Sequence, residues 1–155
     1  MVGREIEDGD VAGVIALWQG CGLTRPWNDP AADIAFARAA PTATILLLED
    51  GDALVGAVMV GHDGHRGTVY YLGTAPGRRG AGHGRRLMTA AEDWLRDRGV
   101  WKLNLLVREG NAAALGFYAA LGYADQRCHV LGRRLDGRPD RSPAAGDLSP
   151  APKLG

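Results

Sequence analysis

Between a strand-like run and a helix-like run lies Arg79-Gly80-Ala81-Gly82-His83-Gly84, and this stretch constrains the chain more than any other. Its three glycines let the backbone turn tightly and keep side chains from standing in front of its amides. At a helix start those amides have no intrahelical acceptor, and the helix dipole adds positive potential, so an anion is favoured there. Arg79 places a fixed positive charge beside the turn. A pyrophosphate suits such a cradle, although glycine-rich turns before helices are common.

A second pattern follows about thirty residues on. Asn111, Ala114, Phe117, Tyr118, Leu121, Gly122 and Tyr123 read N-x-x-A-x-x-F-Y-x-x-L-G-Y. R-x-x-G-x-G at one helix head, then N-x-x-A-x-x-x-Y-x-x-x-G-[FY] on the next helix, resembles the GNAT superfamily of acetyl-CoA-dependent N-acetyltransferases. Tyr70-Tyr71-Leu72-Gly73-Thr74-Ala75-Pro76 is similar to the strand that precedes the phosphate loop in that family. Arg25-Pro26-Trp27-Asn28-Asp29-Pro30 and Asp63-Gly64-His65-Arg66-Gly67 are similar to segments of the bacterial YpeA-type acetyltransferases. The resemblance covers residues 4–135.

Composition narrows the partners. The 155 residues suffice for one domain with its own core, and 18 basic residues balance 18 acidic ones. A nucleic-acid binder would carry a basic excess and a membrane-surface protein a basic amphipathic helix, and neither is present. Cys21 and Cys128 lack metal-ligand spacing and read as buried free thiols, so no metal is expected. With no signal peptide and no membrane-length apolar run, the expected location is cytoplasmic.

The chain reads as alternating elements. Residues 2–6 suit a short strand, and Asp10 suits the N-cap of a helix whose Val11, Val14, Ile15 and Trp18 share one face. Asp29-Pro30 is a second helix start, running to Pro41. Residues 44–48, 54–60 and 68–74 form a meander of three strands, the first turn being Glu49-Asp50-Gly51-Asp52. After the glycine loop, Leu87, Ala91, Trp94 and Leu95 mark a long helix ended by Gly99. Residues 103–107 read as a buried strand, 111–121 as a helix capped by Asn111, and 123–135 as weakly strand-like. Residues 136–155, rich in Pro, Gly, Ser and Ala, read as a disordered tail beyond a domain of residues 1–135.

This order argues for an α/β fold with helices on both faces of the sheet. The resemblance implies the GNAT version: a mixed, mostly antiparallel sheet of six or seven strands and about four helices. It also implies a sheet splayed between its fourth and fifth strands, residues 68–74 and 103–107, with acetyl-CoA entering the cleft. Cofactor contacts would come from Leu72, Gly73, Thr74, Arg79, Gly80, Ala81, Gly82, His83, Gly84, Arg85, Asn111 and Ala114. A backbone N–H between Leu72 and Thr74 would polarise the thioester carbonyl, an effect worth roughly 3–4 kcal/mol. Tyr118 would be the general acid to the CoA thiolate as an amine attacks directly in a ternary complex.

Two features depart from the family pattern. Some relatives carry a glutamate on the strand ending at Val107, where this chain has Asn104, Leu105 and Leu106. His83 stands where a small aliphatic residue is usual. The base is therefore open among Asp29, Asp33, Asp63, His65, Glu49 and a water relay. Trp27, Asn28, Asp29 and His65 are candidate substrate contacts, with a cap and ordinary turns as the plainer reading. The acceptor would be a small-molecule or peptide amine, and the resemblance allows a homodimer.

Rival readings fit less well. The glycines run G-x-G-x-G rather than the dinucleotide pattern G-x-G-x-x-G, and no acidic residue ends a following parallel strand. A nucleotide-triphosphate loop would need Gly-Lys-Ser/Thr where Gly84-Arg85-Arg86 stands. The other class to weigh is an acyl-CoA-binding sensor or partner-binding module on the same fold, without turnover.

Overall fold

Residues 2–139 are described by a computed structural model. Four antiparallel strands lie in chain order: β1 (Val2–Glu5), β2 (Ala43–Asp50), β3 (Ala53–His62) and β4 (Gly67–Thr74). Alternation along β2 decides the layers. Ile45 and Leu47 point to one face and Leu46 and Leu48 to the other, and all four are essentially inaccessible. A strand buried on both sides needs helices over both.

Helices α1 (Val11–Gly20) and α2 (Pro30–Ala39) cover the first face, packing Val14, Trp18, Ile34 and Ala37 against Ile45, Leu47 and Ala57. Helix α3 (His83–Arg96) covers the second with Leu87, Met88, Ala91, Trp94 and Leu95, and α4 (Ala112–Ala120) follows beside it. Burying one such aliphatic side chain contributes about 1.5–3 kcal/mol. Asp29 caps α2 as its sequence suggests, accepting from the amides of Ala31 (2.9 Å) and Ala32 (3.3 Å). Asp10 does not cap α1. Its carboxylate takes the amide of Glu7 (2.8 Å) and both terminal nitrogens of Arg4 (2.7 and 3.0 Å), closing a 3-10 turn over Asp8–Asp10. The Arg4 guanidinium holds that carboxyl down at about 2.

The sheet is smaller than the resemblance implies: four strands among the described residues, not six or seven. Residues 103–107 form no strand. They make one parallel bridge, Leu103 to Gly67, with Gly67 donating to the carbonyl of Lys102 (2.9 Å) and Asn104 donating to that of Gly67 (3.0 Å). Beyond it no backbone hydrogen bond joins them to β4 among the described residues, so the two segments part after Gly67. Leu103 and Leu105 rest on the core while Leu106 is exposed, so this segment is covered on one side rather than buried. Residues 123–135 also form no strand, and Val130, Leu131 and Leu135 lie in solvent. Asp125 breaks that run by accepting the Arg127 amide (2.7 Å), which turns Arg127 to φ +53°. Cys128, expected to be buried, is exposed, whereas Cys21 is buried. Of the tail expected at 136–155, residues 140–155 lie outside the described residues.

Candidate active site

The glycine loop winds into α3 as the local sequence requires. Gly80 and Gly82 adopt φ +83° and +73°, left-handed conformations that cost an L-residue about 1–2 kcal/mol. Nothing lies within 4 Å of where a Cβ would stand on either, so the space in front of them is open. Gly82 occupies the N-cap position without a capping side chain, and Arg86 makes the first helical bond, to the Gly82 carbonyl (3.1 Å). The amides of His83, Gly84 and Arg85 therefore precede any intrahelical acceptor. Arg79, Arg85 and Arg86 have no carboxylate within 4.0 Å among the described residues, while neighbouring Arg78 pairs with Asp50 (2.5 Å). His83 is buried, and its Nδ1 has no hydrogen-bond partner. Unpaired amides, unpaired guanidiniums and an orphaned ring nitrogen together suit a multiply charged anion such as a pyrophosphate.

Gly84 serves a different purpose. A Cβ there would sit 3.0 Å from Cζ of Phe117, so the loop end and α4 meet through that glycine. Phe117 packs edge-on against Tyr118 (centroids 5.0 Å), and Tyr118 against Tyr123 (5.8 Å). Asn111 caps α4 by accepting the Ala114 amide (3.1 Å). Burial pushes the Tyr118 hydroxyl up to about 12, and no protein group hydrogen-bonds it among the described residues.

A cleft of about 1050 Å³ opens where residues 104–108 leave β4. Leu72, Asn111, Ala114 and Tyr118 line it, together with Asn28. The other expected contacts, Gly73, Thr74 and loop residues 79–85, lie off its wall, as do Trp27, Asp29 and His65. Asp29 spends its carboxylate on the α2 cap. His65 lies exposed in the β3–β4 turn, which Asp63 closes by accepting the amides of His65 (2.8 Å) and Arg66 (2.7 Å). Those amides hold the Asp63 carboxyl below its ordinary range. Glu49 pairs with Arg4 (2.5 Å) away from the cleft. A smaller pocket of about 320 Å³, near Glu5, Arg38, Trp94 and Arg98, meets this cleft only at Ala40 and Ala43.

Strand β4 carries a feature that the sequence does not announce. Opposite Ala57 to Met59 on β3, two steps, β4 runs from Gly73 to Tyr70, three steps. The extra residue is a β-bulge, and Tyr71 within it has φ +53°. A bulge leaves one residue outside the ladder, so the strand has a backbone group to spare beside Leu72 and Gly73. Tyr71 stacks on buried Trp18 (centroids 4.3 Å, 17°) and donates its hydroxyl to Asp33 Oδ2 (2.7 Å). Burial, and then Asp33, raise the Tyr71 pKa. Cys21 sits under the same strand end, its thiol donating to the Thr74 carbonyl (3.2 Å), and burial raises its pKa as well. Sequence reasoning missed this arrangement, because a left-handed tyrosine has no compositional signature.

Fold and site define an α/β protein with a glycine turn of unpaired amides at a helix head and an open cleft where residues 104–108 leave β4. The chain belongs to the acetyltransferase (GNAT) family, whose model matches residues 13–123, and it is an acetyltransferase. It is 45% identical to an acetyltransferase of Yersinia enterocolitica over 85% of this chain and 94% of that one. Among solved structures it is similar to a putative acetyltransferase from Agrobacterium tumefaciens (TM-score 0.72, 21% identity, 84% of this chain and 98% of that one). It is similar also to AAC(6')-Iy in complex with the bisubstrate analogue CoA-S-monomethyl-acetylneamine (TM-score 0.73, 15% identity, 84% and 95%). These two likenesses show the fold. No helix among the described residues is long and apolar enough to cross a membrane, and none of their His, Cys, Asp and Glu groups is arranged to hold a metal ion.

Proposed function

We propose that this chain transfers an acetyl group from acetyl-CoA to a primary amine, with both substrates bound at once. The carrying observation is the junction at Gly84 and Phe117, which ties a loop of unpaired amides and arginines to the cleft wall holding an unpaired Tyr118 hydroxyl. The similarity to a protein solved with a CoA-based bisubstrate analogue supports the same reading. Acetyl-CoA, when bound, supplies a thioester carbonyl activated toward amines.

The chain's own groups do the rest. The amides of Gly80 to Arg85, with Arg79, hold the pyrophosphate, and His83 Nδ1 adds a polar contact at the same helix head. The bulged end of β4 offers an N–H between Leu72 and Thr74 to the carbonyl oxygen. Tyr118, kept protonated by burial, acts as the acid that donates to the departing sulfur. Asn111 fixes the start of α4 and so the height of Tyr118 above the cleft.

Four of the five candidate bases are engaged or displaced. Asp29 caps a helix, Asp63 closes a turn, Glu49 pairs with Arg4, and His65 lies off the cleft. Asp33 is the one candidate left on the cleft wall, and the open mouth of the cleft gives the amine proton a path to water as well. Thiol release from acetyl-CoA in the presence of amines tests the proposal. Release with one amine class supports it, while tight binding with no release on any amine favours an acyl-CoA sensor.

A further inference from the structure

Asp33 is the fifth candidate, and the structure gives it a place beyond proton bookkeeping. Two carboxylates line the cleft, Asp33 and Asp63, and Asp63 is spent on its own turn. Asp33 uses Oδ2 to accept from Tyr71, and its carboxylate has no other hydrogen-bond partner or ion pair among the described residues. Its second oxygen is open to a donor. The Tyr71 hydroxyl cannot drift, because its ring is stacked on a fully buried Trp18 and its backbone is locked in the bulge.

Beside this anchor and Asn28, the wall carries exposed aromatic surface. Phe36, one helical turn beyond Asp33 on α2, also lines the cleft, and 82% of its surface is exposed. Tyr70, across the cleft on β4, is 47% exposed. An aromatic side chain that exposed, standing over a cavity, is surface that a ligand would cover. The remaining charges on the wall are basic. Arg25 is bonded to the carbonyls of Gly22 and Thr24, Arg66 lies over the Trp101 ring, and Arg108 has no carboxylate partner among the described residues. The open oxygen of Asp33 is one contact for a positive charge, and the three arginines repel each further charge that a polycation would bring.

We propose that the acceptor is a monoamine on an apolar or aromatic body, with its ammonium on the Asp33–Tyr71 pair and its body against Phe36. This rests on the acetyl-transfer reading above and selects among amines within it. Asp33 and Tyr71 bind and orient the nitrogen, and Phe36 sets the preference for what carries it.

The test uses the full chain with acetyl-CoA, thiol-release detection, and 2-phenylethylamine, ethylamine and spermidine as probes. The expected order is 2-phenylethylamine first, with kcat/KM at least about tenfold above spermidine. Asp33→Asn should raise KM for 2-phenylethylamine about ten- to a hundredfold, the worth of a charge-assisted hydrogen bond, with acetyl-CoA affinity by calorimetry unchanged. Phe36→Ala, at an exposed site that does not threaten folding, should lower kcat/KM for 2-phenylethylamine about tenfold and leave ethylamine unaffected. Preference for spermidine, an unchanged KM in Asp33→Asn, or equal losses for both monoamines in Phe36→Ala would overturn the proposal. A wild-type chain that fails to bind acetyl-CoA would instead overturn the functional reading beneath it, and this proposal with it.

Discussion

Replacing Tyr118 with phenylalanine separates chemistry from structure unusually cleanly at this site. The hydroxyl has no hydrogen-bond partner among the described residues, so its removal strands no buried group. The ring keeps its edge contacts to Phe117 at 5.0 Å and Tyr123 at 5.8 Å. Stability should therefore change by no more than about 0.5 kcal/mol. The catalytic loss follows from the acid's strength. Burial places this hydroxyl at about 12, whereas a thiol ionises near about 8.5, so full proton transfer to a thiolate is uphill by about 5 kcal/mol. Tyr118 then works chiefly as a hydrogen-bond donor to charge growing on sulfur, and such bonds are worth about 1.5–3 kcal/mol. The expected fall in kcat is about ten- to a hundredfold, at the lower edge of general acid catalysis, with acetyl-CoA affinity unchanged. With its hydroxyl at about 12, Tyr118 should give no alkaline limb below about pH 11. Steady-state thiol release from pH 7 to 10.5, with calorimetry and thermal melts on both proteins, measures every quantity. Equal kcat in the two proteins would remove Tyr118 from the mechanism. A wild-type kcat that falls with a midpoint near pH 9, with the fall absent from Tyr118→Phe, would refute the burial argument.

Three further outcomes are expected. Global stability should decline as pH rises from about 10 to about 12: the unfolded tyrosine ionises first, so the folded state binds more protons there and loses its advantage. Denaturant melts across that window should show a shallower decline in Tyr118→Phe, and identical slopes would refute the linkage. Gly84→Ala should lower the melting temperature, because its Cβ would stand 3.0 Å from the Phe117 ring and push that ring a few tenths of an ångström against Tyr118, outweighing the helix propensity gained of about 1 kcal/mol; an unchanged or raised melting temperature would contradict that contact. Asp29→Ala should cost about 1 kcal/mol through loss of the α2 cap, read as a melting temperature lower by several degrees.

What was legible in the chain was local or carried by residue type. The Asp29-Pro30 start, the apolar strand run of residues 44–48 and the stripe of Leu87, Ala91, Trp94 and Leu95 each follow from one local pattern or one cap, and the structure has them all. Asp10 looked like the same kind of cap but was taken by Arg4, a partner that its local sequence cannot reveal. Residues 103–107 carry an apolar run that suits a strand, yet strand identity depends on a paired neighbour, and β4 has already diverged beyond Gly67. The cleft residues were legible where a motif marked them, as at Asn111 and Tyr118. They were illegible where long-range packing made them: Tyr71 is left-handed because of a bulge against β3 and a stack on Trp18, and Asp33 matters because α2 delivers it to that hydroxyl.

We propose that the turn from Gly80 to Arg85 holds acetyl-CoA. Calorimetric titration of acetyl-CoA into the wild-type chain and into Gly82→Val tests it most directly. At Gly82 a Cβ meets nothing within 4 Å, so valine should cost the fold only its left-handed strain, about 1–2 kcal/mol, while standing in the path of the phosphates. Saturable binding to the wild-type chain and none to a folded Gly82→Val are expected. Equal affinity in both proteins would contradict that assignment and move the acetyl-CoA site elsewhere.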